Sequence, residues 1–218
     1  MEFTVQIYSF KNCVSANFKR KIGILGGTFN PVHVGHIYMA RRAYQEFSLD
    51  KVIFIPVGDP PHKRDIEVTD KEHRFTMVEI AVDGIEGMEV SRVEVERQGS
   101  TYTIDTLSAL KQQSDDEFYY IIGTDTLFEI TTWKRYEEVL KLTEFICFSR
   151  PGYETEKILR YLEFFREEYS KHIHMSEYRG IDVSSHEIRK RVKMGLSIKG
   201  LVPDDVETYI RENGLYIL

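Results

Sequence analysis

Two histidines separated by two residues, His33 and His36, follow a pair of adjacent glycines, Gly26 and Gly27, in the stretch KIGILGGTFNPVHVGH over residues 21–36. Glycine carries no Cβ, so a strand that runs into Gly26-Gly27 lets its backbone come close to a ligand. The loop that follows delivers both imidazoles beside the start of a helix, where backbone N–H groups and the helix dipole favour an anion. Imidazole N–H groups at such a place can donate to phosphate oxygens. The spacing is neither the P-loop, which needs GxxxxGK[ST], nor the dinucleotide GxGxxG fingerprint. A metal reading of the histidine pair is weak, because no Asp, Glu or third His stands at zincin-type spacing.

Elements that alternate along the chain must position these residues. The apolar runs at 22–25, 52–55, 118–122 and 145–148 are short, β-branched or aromatic, and end in Gly, Pro or Ser, which reads as buried strands. Helix-period segments lie between them: Ile37, Ala40, Tyr44 and Phe47; Phe75, Val78 and Val82; Ile104, Leu107 and Leu110; then Tyr136, Val139 and Leu140. This order predicts an α/β fold, a Rossmann-like doubly wound parallel sheet with helices on both faces and a small helical part at the C-terminus. Ligands then collect in the crevice at the carboxyl ends of the strands. Residues 90–98 and 172–175 alternate less cleanly and are read as peripheral strands. Residues 154–171 are read as an amphipathic helix whose charges face solvent. His172 and His174 are read as surface or packing residues. Pro203, Asp204 and Asp205 suit the first turn of a last helix, and Gly214 its stop.

Composition narrows the function further. The chain has 218 residues, with 29 Lys+Arg against 35 Asp+Glu and a formal net charge of −6. Such a balance argues against general nucleic-acid binding, which excess basic charge drives. Hydrophobic residues at 42% and charged residues at 29% describe a globular chain of one domain. The only two cysteines, Cys13 and Cys147, stand far apart, so neither a disulfide framework nor a cysteine zinc site is expected, and a reducing cytoplasmic setting is the default. No apolar run reaches the ~20 residues of a membrane span, and the opening MEFTVQIYSF is a poor secretory segment.

The first motif resembles the signature of the HxGH nucleotidyltransferases. Further along, PPHK (60–63), RQGSTYTIDTL (97–107), GTD (123–125) followed by Trp133, and DVSSHEIR (182–189) are similar, in that order, to motifs of the bacterial nicotinate-nucleotide adenylyltransferases. The resemblance covers residues 21–218 and implies transfer of AMP from ATP to nicotinate mononucleotide, with Mg²⁺ accompanying ATP. It implies catalytic roles for His33, His36 and Arg189, and an ATP site of Gly26, Gly27, Thr28, His33, His36, Gly123, Asp125, Ser184, Ser185 and Arg189. Lys63, Tyr102, Thr103 and Trp133 are implied for the mononucleotide, with Trp133 stacked on the nicotinate ring and backbone donors at Tyr102 and Thr103 near its carboxylate. Neither nucleic acid nor membrane is an expected partner, and a homo-oligomer is left open. The chain departs from the family pattern at His186, where a Thr is usual, and at Asn30, where an Asp is common and whose change removes a charge beside the phosphates. Residues 1–20 have no counterpart and are expected to be a dispensable extension. Two other readings are weighed: pantetheine-phosphate adenylyltransferase, which lacks the Trp133 and TYTIDTL features, and a nucleotide-binding regulator without turnover.

Overall fold

In the computed structural model, which describes residues 19–59 and 68–217, the β-branched and aromatic runs form the strands of one sheet. The strands are β1 (Lys21–Gly27), β2 (Lys51–Pro56), β3 (Met88–Val90), β4 (Glu117–Gly123), β5 (Glu144–Ser149) and β6 (Ile173–Arg179). All pairings are parallel, in the order β3-β2-β1-β4-β5-β6. Parallel neighbours need crossovers, and these are supplied by helices α1 (Val34–Glu46), α2 (Lys71–Val82), α3 (Thr103–Gln113), the one-turn α4 (Thr124–Leu127), α5 (Tyr136–Leu142) and α6 (Thr155–Tyr169). Helices α7 (Ser185–Lys193) and α8 (Asp204–Glu212) close the chain as the expected C-terminal helical part. The order reverses between β1 and β4, which is the topological switch point where open α/β sheets bind ligands.

Burial explains why the strands read as continuous apolar runs. One core cluster, containing Leu25, Phe54 and Ile146 with Met39, Ala40 and Ala43 of α1, covers one face of the sheet. The other, containing Ile22, Ile24, Phe118 and Ile122 with Ile104 and Leu107 of α3, covers the opposite face. Small residues on the inner stripe of α1 bring that helix close to β1, so its N-terminus arrives directly over the end of the strand.

Two peripheral strands differ from expectation. The ladder on β2 ends at Val90 with one further bond from Ser91 N–H to Phe54 O, and residues 91–98 form a turn and bend rather than a strand. The run at 172–175 becomes a longer edge strand through Arg179. Residue 20 belongs to the folded unit: its carbonyl accepts from Glu117 N–H and its guanidinium pairs with Asp116 at 2.7 Å. The rest of the proposed extension, residues 1–18, lies outside the described residues, as does Lys63. Among the described residues, no helix is long and apolar enough to cross a membrane.

Candidate active site

The loop between β1 and α1 hangs from distant elements by its own carbonyls. Arg74 of α2, only 1% exposed, donates to Thr28 O, and from the same guanidinium to Thr69 O, Val57 O and Gly58 O, all at 2.6–2.8 Å. A fork of five N–H donors suits one residue to tie two loops together in this way. Arg189 donates to Asn30 O and Ser185 Oγ to Pro31 O, each at 2.8 Å, so α7 is fastened to the same loop. Asn30 is buried, and its Oδ1 accepts from Tyr216 O–H at 3.0 Å and Thr69 N–H at 3.4 Å. Asn30 thus places a neutral amide in the interior, with its side-chain oxygen as the acceptor.

His33 and His36 stack at the start of α1, with ring centroids 3.6 Å apart and 21° between planes, and Phe29 meets His36 edge-on at 4.9 Å. His36 Nδ1 accepts from the His33 backbone N–H at 3.2 Å. That ring nitrogen must be unprotonated, which places the proton of a neutral His36 on Nε2, as a donor. Among the described residues, Nδ1 of His33 is buried without a hydrogen-bond partner, an exception of the kind found at functional sites. Burial, and next the charge of Arg150, push the His33 pKa down to about 3. Burial, and then the charges of His33 and Arg150, push His36 well below its ordinary range as well. Both imidazoles are thus neutral donors near pH 7.

This coupling sets a pH dependence of stability. The unfolded chain protonates residue 33 near its ordinary 6.5, whereas the folded chain does so only near 3, so stability is lost as pH falls through that window. Between pH 7.5 and 5 the side chain is expected to remove about 2 kcal/mol. Urea unfolding at the two pH values should show His33→Gln losing less stability than the unaltered protein by about that amount. An equal loss would contradict the assignment of a neutral, buried His33.

Arg150 is the residue that sequence reasoning missed. It follows β5 directly, its backbone N–H donates to Thr124 Oγ1 at 3.3 Å, and its guanidinium reaches Asp125 Oδ2 at 3.4 Å. A Cβ on Gly123 would stand 2.6 Å from Asp125 Oδ1 and 3.7 Å from Arg150 Nε, so this glycine makes room for the pair. The signal available in the sequence was its position at the carboxyl end of a predicted strand, ahead of Pro151-Gly152.

A Cβ on Gly26 would lie 2.2 Å from the Tyr120 hydroxyl, and one on Gly27 3.0 Å from the Phe29 ring. Their missing side chains make room for the protein's own aromatics. Ser184 caps α7, its Oγ accepting from Glu187 N–H at 3.2 Å, which leaves its own proton to donate. His186 is exposed on α7.

Of the residues implied for the second substrate, Tyr102, Thr103 and Trp133 lie among the described residues, at and near the start of α3 and on β4's outgoing loop. Tyr102 is the N-cap of α3 and Thr103 its first residue; the amides of Asp105 and Thr106 donate back to Tyr102 O, while the first-turn amides of Thr103 and Ile104 face outward along the helix axis. Trp133 packs edge to face on Tyr120 at 5.6 Å. Glu94, buried, accepts from Thr106 Oγ1 at 2.7 Å, and burial raises its pKa. A hollow of about 630 Å³ runs along the outer face of α1 past Tyr38, Arg41 and Gln45, but its lining includes neither histidine. The site is defined by converging donors rather than by volume.

Comparison with known proteins decides the family. Residues 24–191 match the family described as Cytidylyltransferase-like. A probable nicotinate-nucleotide adenylyltransferase of Desulfitobacterium hafniense is 44% identical over 198 residues, covering 90% of this chain and 96% of that relative. The chain belongs to the nicotinate-nucleotide adenylyltransferase family. A second relative of that description, from a Thermoanaerobacter species, is 43% identical over 90% of this chain and 94% of its own length. The Plasmodium falciparum nicotinic acid mononucleotide adenylyltransferase complexed with NaAD superposes with a TM-score of 0.74 at 21% identity, covering 90% of this chain and 97% of that one. Within the adenylyltransferase family, the switch-point crevice of this chain is thus built from the HxGH loop, Arg150, α7 and the α3 N-terminus.

Proposed function

We propose that the site transfers the AMP portion of ATP to nicotinate mononucleotide, giving nicotinate adenine dinucleotide and pyrophosphate. The observation that carries this reading is the convergence of His33, His36, Arg150 and Arg189 on one loop at the switch point, with Trp133 and the α3 N-terminus across from them. An oxygen of the mononucleotide phosphate attacks the α-phosphorus of ATP; as that P–O bond forms, the bond from the α-phosphorus to the pyrophosphate oxygen breaks. No covalent enzyme intermediate is needed, so the protein acts by placing two anions in line and by meeting the charge that moves.

His36 donates from Nε2 to an α-phosphate oxygen, where negative charge builds. Arg189 keeps free N–H groups beyond its bond to Asn30 O, and with Ser184 it holds the outer phosphates. Ser185 acts by locking α7 to the loop. Arg150 supplies a full charge beside both imidazoles, and Asp125 is placed for ribose hydroxyls. Trp133 stacks on the nicotinate ring, and the amide of Thr103 meets its carboxylate; Lys63 is assigned to the mononucleotide by resemblance alone. Mg²⁺ supplies charge neutralisation on the polyphosphate when bound. The donor set fits a metal held by phosphates, since the groups lining the loop are N–H donors and Asp125 is already engaged by Arg150.

The test is pyrophosphate release with Mg-ATP and a panel of acceptors: nicotinate mononucleotide, nicotinamide mononucleotide and phosphopantetheine. Turnover should be greatest with the first. Turnover only with phosphopantetheine, or with none, would overturn the reading and favour the rival enzyme or the regulator.

A further inference from the structure

The segment after α8 comes back to the loop that carries the histidines. Helix α8 buries Val206 and Ile210, and the Tyr209 hydroxyl meets Nδ1 of His73 in α2 at 2.8 Å, so α8 is seated on α2. The backbone then turns at Gly214, where φ is +60°, and Leu215 N–H donates to Ile210 O. Tyr216 follows with φ at +66°, a left-handed conformation that a residue with a side chain rarely takes. Such a conformation is kept where the surrounding structure holds it. Here the phenol oxygen lies 3.0 Å from Asn30 Oδ1.

Thr69 decides which group donates. Its backbone N–H can only donate, and it points at Asn30 Oδ1 from 3.4 Å, so that atom is the amide oxygen and Tyr216 O–H donates to it. Burial pushes the phenol up to about 12, which keeps its proton in place at neutral pH. Asn30 is only 4% exposed, and its own carbonyl accepts from Arg189 Nη1 at 2.8 Å. One buried residue thus takes a donor from the segment after α8 on its side chain and a donor from α7 on its backbone. Fixing the carboxamide restricts φ and ψ of residue 30, and with them the direction of the carbonyl on which Arg189 rests. The guanidinium is a rigid plane, so the bond at Nη1 aims its remaining N–H groups.

We infer that Tyr216 is a positioning residue for ATP: its hydroxyl fixes Asn30, and through the Asn30 carbonyl it holds Arg189 toward the outer phosphates. The inference rests on the reading that Arg189 binds those phosphates.

Tyr216→Phe keeps the ring and removes the one bond. Calorimetric titration without an acceptor should show the Kd of a non-hydrolysable ATP analogue and that of pyrophosphate, each with Mg²⁺, rising about fivefold, while the Kd of AMP changes less than twofold. Asn30→Ala should give the same pattern, and the double variant should bind no more weakly than Asn30→Ala alone. Parallel weakening of all three ligands, or an unchanged analogue Kd with only a lower melting temperature, would overturn the inference and leave Tyr216 a structural fastener. A further weakening in the double variant would also overturn it. If Tyr216→Phe does not fold, Asn30→Ala carries the comparison, and loss of AMP binding in parallel with the analogue decides against the inference. Failure of the unaltered enzyme to use nicotinate mononucleotide would contradict the proposed reaction and leave these titrations unaffected. Analogue binding as tight in Arg189→Met as in the parent would remove the reading on which the inference rests.

Discussion

Replacing His36 with alanine is expected to lower kcat by about 10²–10³, while ATP affinity changes far less. The reason lies in where its proton is held. The His33 backbone N–H occupies Nδ1 at 3.2 Å, so Nε2 carries the proton, and the ring cannot turn freely because His33 stacks on one side at 3.6 Å and Phe29 meets it edge-on. A donor fixed in this way costs no reorganisation when charge develops at the α-phosphate, and it gains most in the transition state. Ground-state binding draws on Arg189, Ser184 and Arg150, which the substitution leaves in place. Steady-state rates together with calorimetric titration of a non-hydrolysable ATP analogue separate the two quantities. Turnover within a few-fold of the parent would remove His36 from the chemistry.

Nicotinate mononucleotide is expected to be used better than nicotinamide mononucleotide by about two to four orders of magnitude in kcat/KM. The ligands have nearly the same shape, so stacking on Trp133 cannot separate them. Donors at the α3 N-terminus can, because the backbone N–H groups at Tyr102 and Thr103 would meet two acceptor oxygens in the acid and an NH₂ group in the amide. Hydrogen bonds to a charged acceptor contribute roughly 1.5–3 kcal/mol each, and an unpaired buried group costs a similar amount. Two such differences convert to the stated range at about 1.4 kcal/mol per tenfold. Equal kcat/KM values for the two mononucleotides would take the carboxylate role from Tyr102 and Thr103.

Much of the frame was legible because each part of it has a local cause. Buried parallel strands must be apolar throughout, so the runs around Ile24, Phe54, Ile121 and Ile146 stood out. The histidines were legible because their spacing places both at one helix start. What could not be read is what depends on register across the sheet. Tyr120 and Arg150 each sit in the site only because β4 lies beside β1 and β5 beside β4, and no spacing along the chain encodes which strand becomes a neighbour. The glycines at 26 and 27 were recognised as necessary, but the Tyr120 hydroxyl that also requires Gly26 could not be read, since Tyr120 is distant in sequence. Arg74 resembled any other charge on an amphipathic helix, yet it is the buried fork that ties the segments after β1 and β2 together. The run at 90–98 alternates less cleanly, and its hydrogen bonds to β2 end at Ser91.

The most direct test follows the phosphorus atoms. Parallel reactions with ATP labelled at the α- or the γ-phosphate, each with Mg²⁺ and nicotinate mononucleotide, are quenched and their products separated. Direct transfer predicts α-label in nicotinate adenine dinucleotide, γ-label in pyrophosphate, the two products in equal amounts, and no label on the protein. Alpha-label that ends in free AMP or on the protein, or pyrophosphate formed without the dinucleotide, would contradict it.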